Sequence, residues 1–189
     1  ENLGTPEERV VASDLAGLVG REFAPLNVLV LVDAERAGGA TRPARGPDGR
    51  DAAPRPWPVL GLPDQAFAQR RPQAGLITKL EVRAVSLARL ALRPGDTVWD
   101  VGAGTGSVGI EAARLVPGGR VYAVERRAED VARLRDNAAR FRADNLVAVL
   151  GEAPEALAAL PDPDAVFVGG SGGRLREVLR AVAARLRRG

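Results

Sequence analysis

Ten consecutive residues carry the strongest chemical signal in this chain of 189: Val98-Trp99-Asp100-Val101-Gly102-Ala103-Gly104-Thr105-Gly106-Ser107. A β-branched and aromatic run passes into glycines at alternate positions and then into a segment compatible with a helix. Glycine lets the backbone turn sharply and come close to a ligand at the carboxyl edge of a parallel sheet. A strand-to-helix turn needs fewer glycines than Gly102, Gly104 and Gly106 supply, so a nucleotide-like ligand is expected here.

Two ligands fit the spacing. Gly104-Thr105-Gly106-Ser107-Val108-Gly109 also reads G-x-G-x-x-G, and Glu125 stands 21 residues beyond Gly104, as in a dinucleotide site. The pattern does not choose between them, but charge does. A dinucleotide brings a pyrophosphate dianion to the turn, whereas S-adenosylmethionine brings a sulfonium and an ammonium and no phosphate. Carboxylates are therefore expected around a pocket for the sulfonium compound. Asp100 lies in the first predicted strand just before the turn, Glu125 closes the second, and Glu152 follows the third. Asp100 would favour a cationic methionyl group, directly or through water. Glu125 can accept both ribose hydroxyls, and Glu152 with the backbone N–H of Ala153 is placed to meet the adenine.

The alternative readings are a nicotinamide-dependent oxidoreductase and a methyltransferase of another substrate. Hydride transfer also needs a proton donor or acceptor, usually His, Lys or Tyr. The chain has no His, and Lys79 and Tyr122 are its only Lys and Tyr. Tyr122 falls inside a predicted strand and reads as core. Cys and Met are absent as well, which removes disulfides, thiol nucleophiles, zinc sites of the usual ligand set and any Ser-His-Asp triad. No metal and no general acid or base is assigned.

These residues need a scaffold, and the flanking sequence supplies an α/β one. Thr78-Lys79-Leu80-Glu81 fits a capping box, predicting a helix from Thr78 to Leu92. Strands follow at residues 97–101, 120–125, 146–150 and 165–168. Between and after them, helices are predicted at 107–115, 128–141, 154–160 and 174–186. Four βα units in succession predict a doubly wound parallel sheet with helices on both faces, since each crossover must be right-handed. Upstream, residues 5–19 predict a helix and Leu26–Val32 a buried strand. The Gly-, Pro- and Arg-rich residues 35–58 read as a linker or long loop. The chain starts at Glu1 without a Met, which reads as a piece of a longer polypeptide.

With 46% apolar and 27% charged residues, the chain can pack a core and is neither collagen-like nor wholly disordered. No run approaches a membrane span and no signal peptide is legible, so a cytoplasmic location and no membrane partner are expected. After residue 75 there are 18 basic and 14 acidic residues, and part of the excess falls at Arg174, Arg176, Arg180, Arg185, Arg187 and Arg188. These read as a solvated helix face near a C-terminus rather than a nucleic-acid site.

Several stretches resemble one family. They are Gly61-Leu62-Pro63-Asp64 with Phe67, Thr78-Lys79 with Glu81-Val82-Arg83-Ala84, the glycine turn, Gly151-Glu152-Ala153-Pro154-Glu155-Ala156-Leu157, and Val168-Gly169-Gly170-Ser171-Gly172-Gly173. Together they resemble the C-terminal domain of the decarboxylating precorrin-6Y methyltransferases. The first residues and the strand Pro25–Val32 look like the tail of the tetrapyrrole methylase domain that precedes it in two-domain members. The resemblance implies the tail at residues 1–34, a linker at 35–58 and the S-adenosylmethionine-dependent methyltransferase domain at 59–189. That domain has a Rossmann-like fold of seven strands, so four strands would leave it C-terminally incomplete.

The resemblance further implies that Thr78, the turn Gly102 to Gly106, Glu125 and Ala153 contact S-adenosylmethionine. The implied substrate is a polycarboxylated precorrin, methylated at meso carbon 15 with loss of an acetate carboxyl, while the partner domain methylates meso carbon 5. Lys79 and Arg83 are expected to grip substrate carboxylates. The loop carrying Gly170, Ser171 and Gly172 is expected to let the flat ring lie near the methyl group. Homo-oligomers, often tetramers, are expected from the family.

Overall fold

A computed structural model of the chain describes residues 57–69 and 77–187. The expected helix at 5–19, the strand at 26–32 and nearly all of the linker lie outside the described residues. The described residues belong to the second of two compact units, Pro56–Gly189.

The domain is built on four strands: β1 (Thr97–Val101), β2 (Arg120–Glu125), β3 (Leu146–Leu150) and β4 (Ala165–Val168). All pairs are parallel, in the order β3-β2-β1-β4. Successive crossovers from β1 move outward through β2 to β3, and the next returns to the far side of β1. The strand order therefore reverses at β1, and the crevice above its carboxyl end lies where open α/β sheets take ligands.

The helices are α1 (Leu80–Leu90), α2 (Ser107–Leu115), α3 (Ala128–Arg140) and α4 (Leu175–Ala183). Alternation along the strands divides the core into two layers. Val98 and Val121 face a cluster with Leu87 of α1, Ile110 of α2 and Phe141 at the end of α3. Trp99, Val101 and Val124 face the opposite cluster with Leu157, Val178 and Val182. Burial of the Trp99 indole contributes roughly 4 kcal/mol by area, and its Nε1–H donates to the Pro161 carbonyl at 3.0 Å.

Two expectations are corrected. The capping box does not form: the N-cap of α1 is Lys79, with no side-chain cap bond, and the helix ends at Leu90 because Ala91 turns left-handed, φ 49°. The predicted helix at 154–160 contracts to one 3-10 turn, Glu155–Leu157. There the Arg185 guanidinium takes the carbonyls of Leu157 and Ala158, at 2.6 and 3.2 Å, and that of Leu160, which anchors the loop sideways instead of continuing a helix. Of the C-terminal arginines, Arg176 and Arg180 on α4 are exposed as expected, and three beside the helix hold carboxylates. Arg174 forms a two-pronged pair with Glu155 at 2.6 and 2.8 Å, Arg185 pairs with Asp162 and lies over the Trp99 ring, and Arg187 pairs with Asp164. Arg188 lies outside the described residues.

Candidate functional site

The turn after β1 is built by backbone contact. Gly102 has φ +73°, and a β-carbon there would fall 2.3 Å from the carbonyl oxygen of Gly170. The N–H groups of Gly102 and Ala103 both donate to the carbonyl of Val124, at 2.9 and 3.0 Å, tying the turn to the end of β2. Gly170 N–H donates to Val101 O at 3.3 Å, so the loop after β4 is tied to β1 in the same manner. The two loops frame a cleft of about 430 Å³ above the carboxyl ends of the strands, within the range of small-molecule sites.

Most residues singled out from the sequence line this one cleft: Thr78, Asp100, Gly102, Ala103, Gly104, Thr105, Glu125, Glu152, Ala153, Gly170, Ser171 and Gly172. Gly106 does not; it is the N-cap of α2 and packs under Leu134. Lys79 stands beside the cleft at the start of α1, with its side chain 70% exposed and its ammonium 3.9 Å from Asp64.

Glu125 is buried at the end of β2, and its two oxygens divide their work. Oε2 accepts the Gly104 N–H at 3.1 Å, and Oε1 accepts the Arg127 N–H at 3.0 Å at the start of α3. A phosphate at this turn would compete with a carboxylate for the Gly104 N–H, and two negative groups at that distance repel. A carboxylate has lone pairs to spare for the hydroxyls of a ribose.

Asp100 departs from the expected negative rim. It is 1% exposed, on the face of β1 toward α2, where Oδ2 accepts the Gly109 N–H at 2.8 Å. Gly109 makes this possible, since a β-carbon there would lie 2.8 Å from the same oxygen. Burial pushes the carboxyl up to about 7, the Gly109 N–H opposes the rise and the charge of Glu125 adds to it. Near neutrality Asp100 is thus only partly ionised. Glu152 is half-exposed at the rim, but its charge is offset by Arg126 at 3.4 Å.

Arg83 is the clearest correction. Expected to grip substrate, it is 0% exposed and has no path to a ligand. Its Nε donates to Glu111 at 2.9 Å, Nη1 to Asp64 at 3.1 Å and to the Thr78 carbonyl at 2.5 Å, and Nη2 to the Leu62 carbonyl. Glu111, itself buried, also accepts the N–H groups of Gly61 and Leu62 at 3.2 and 2.8 Å. The Gly61-Leu62-Pro63-Asp64 motif is therefore stapled to α1 and α2 by a buried ion pair. Spacing held the signal, since Arg83 shares a helix face with Leu87 and Leu90.

Sequence reasoning also missed Arg126 and Phe167, which line the cleft. Each sits at or beside a strand's carboxyl end, and that position was the available signal. Thr105 has a further property that only packing reveals: its hydroxyl is buried and has no hydrogen-bond partner.

The sequence model of a precorrin methyltransferase domain matches residues 70–189. A Pyrobaculum calidifontis protein, described as a probable cobalt-precorrin-6B C(15)-methyltransferase (decarboxylating), is 44% identical over 136 residues, 71% of this chain and 69% of that protein. A precorrin-6Y C(5,15)-methyltransferase [decarboxylating] from Sinorhizobium sp. is 39% identical over 172 residues, 91% of this chain and 37% of that longer protein. The crystal structure of a precorrin-6y C5,15-methyltransferase from Geobacter metallireducens superposes with a TM-score of 0.66 at 49% identity, covering 69% of this chain and 68% of the other. The fold is shared more widely: a SAM-dependent O-methyltransferase from Thermotoga maritima is 21% identical with a TM-score of 0.56, over 62% of this chain and 44% of its own. The doubly wound sheet is thus the Rossmann-like sheet of S-adenosylmethionine-dependent methyltransferases, and the chain belongs to the precorrin methyltransferase domain family.

Proposed function

We propose that this cleft binds S-adenosylmethionine and that the chain methylates a precorrin at meso carbon 15 with decarboxylation of a neighbouring acetate arm, in cobalamin biosynthesis. In the whole protein, methylation at meso carbon 5 belongs to the preceding domain. The observation that carries the cofactor reading is the Glu125 carboxylate on the Gly104 N–H, which occupies the position a pyrophosphate would need. The buried Thr105 hydroxyl, left without a partner, fits a ligand that completes it. The relatives' names support the precorrin.

When bound, S-adenosylmethionine supplies an electrophilic methyl group that a ring carbon attacks in line with the sulfur. The protein's part is proximity and orientation. Glu125 receives the ribose hydroxyls, the Ala153 N–H and Glu152 meet the adenine, and Thr78 and the turn from Gly102 to Thr105 border the methionyl end. Lys79, outside the cleft proper, meets carboxylates of the substrate. The loop of Gly170, Ser171 and Gly172 lets a flat macrocycle approach. Electron density left by the departing carboxyl spreads into the conjugated ring, so the chain needs no group of its own to hold it. The chain works as a homo-oligomer in this reading, which light scattering measures. Among the described residues no helix is long and apolar enough to cross a membrane.

Thermal shift tests the cofactor assignment, since a ligand of the folded state raises the melting temperature. S-adenosylhomocysteine is expected to raise it and NAD(H) to leave it unchanged. The reverse pattern overturns the assignment.

A further inference from the structure

We propose that Arg83 is a positioning residue: it sets Thr78 at the wall of the cleft without touching a ligand. The proposal rests on the reading of Thr78 as a cofactor contact. Thr78 lines the cleft just before α1, where Lys79 and not Thr78 is the N-cap and no side-chain cap bond forms, so no helix cap fixes its place. What fixes it is the Arg83 Nη1, which donates to its carbonyl at 2.5 Å.

Arg83 is itself held rigidly. Its guanidinium joins three parts of the chain: Leu62 and Asp64 upstream, Glu111 in α2 and Thr78 at the cleft. The Phe67 ring lies 5.2 Å from its guanidinium carbon. Guanidinium geometry is planar and forked, so fixing two prongs fixes the third. A buried arginine aimed at a backbone carbonyl beside a ligand cleft therefore transmits the geometry of the Glu111 and Asp64 carboxylates to Thr78.

Lysine at position 83 keeps the charge opposite Glu111, so no buried carboxylate is stranded, but one ammonium cannot hold Glu111, Asp64 and Thr78 together. The experiment is a double-mutant cycle read as the Kd of S-adenosylhomocysteine by calorimetry, with the wild type, Thr78→Ala, Arg83→Lys and the double variant. Each single variant is expected to weaken binding about fivefold, the scale of one hydrogen bond, and the double variant no more than either single. A double loss equal to the product of the single losses overturns the proposal, and so does an Arg83→Lys variant that binds as wild type. If Thr78→Ala binds as wild type, the reading of Thr78 as a cofactor contact fails, and the proposal with it. Should Arg83→Lys fail to fold, Asp64→Ala takes its place in the cycle, because it removes an acceptor from Nη1 while leaving the Glu111 pair intact; the same non-additivity is expected, and additivity overturns the proposal.

Discussion

Gly102 and Gly170 meet backbone to backbone above the sheet, and the meeting is one-sided. A β-carbon on Gly102 would lie 2.3 Å from the Gly170 carbonyl oxygen, whereas one on Gly170 would find nothing nearer than 3.9 Å. How closely the loops after β1 and β4 approach is thus limited by position 102, and the cleft between them depends on it.

Gly102→Ala is accordingly expected to be severe and Gly170→Ala mild. At φ +73° an alanine costs about 1–2 kcal/mol in the backbone, and displacing a backbone carbonyl adds a comparable or larger amount. A fall in melting temperature on the order of 10 °C is expected for Gly102→Ala, with loss of S-adenosylhomocysteine binding. Gly170→Ala should melt near the wild type. Equal melting temperatures for the two variants would contradict the asymmetry.

Thr105 offers a test with two readouts of opposite sign. Its buried hydroxyl has no partner in the free protein, and replacing an unsatisfied buried hydroxyl with an apolar isostere is neutral or stabilising, by up to about 1 kcal/mol. Thr105→Val is therefore expected to keep or raise the melting temperature while weakening cofactor binding, and Thr105→Ser to bind nearly as the wild type. A variant that loses stability and keeps affinity would show that the hydroxyl serves the fold and not the ligand.

The sheet was legible because its signals are local. All four strand boundaries follow from short β-branched runs bounded by turn residues, and the glycine turn places itself at a carboxyl end. What the sequence does not display is which way a polar side chain points. Asp100 does line the cleft, but strand alternation turns its carboxyl toward α2 and Gly109, where it is buried instead of exposed at the rim. Arg83 reads as a solvent-side grip, but its carboxylate partner is 28 residues away in α2, a pairing set only by packing. The capping box at Thr78 fails too: Lys79 is the N-cap, and the Thr78 carbonyl is taken by the Arg83 side chain five residues on.

Asp100 makes stability depend on pH in a direction opposite to most carboxylates. Its folded-state value is raised from 3.8 to about 7, so the folded chain holds the proton where the unfolded chain has lost it. Stability from this group is then highest below pH ~4, declines as pH rises to ~7 and is constant above, a span of roughly 4 kcal/mol. Asp100→Asn removes the decline, and melting curves between pH 4 and 8 measure it. A cation placed near Asp100 favours its ionised form, so affinity for S-adenosylmethionine is expected to rise toward pH 7 in the wild type, more steeply than for the neutral thioether S-adenosylhomocysteine, and to lose that rise in the Asn variant. Parallel profiles for the two ligands would place the sulfonium away from Asp100.

Lys79 is the remaining cationic candidate for substrate contact now that Arg83 is committed to the interior. Its ammonium is exposed beside the cleft and 3.9 Å from Asp64, a loose pairing that leaves it open to a carboxylate from solution. One exposed ion pair contributes about 0.2–1 kcal/mol and weakens with salt. Lys79→Gln is therefore expected to raise the KM for the tetrapyrrole by about two- to fivefold and to flatten its dependence on ionic strength, while Lys79→Arg preserves both. Cofactor affinity should stay within a factor of two of the wild type, because the contacts assigned to the cofactor lie on the strand ends and not on the start of α1, Thr78 excepted. Steady-state kinetics at low and high salt, with calorimetry for S-adenosylhomocysteine, separate the two effects. A Gln variant that loses cofactor and tetrapyrrole affinity in equal measure would mean that Lys79 supports the cleft wall through Asp64 and meets no substrate.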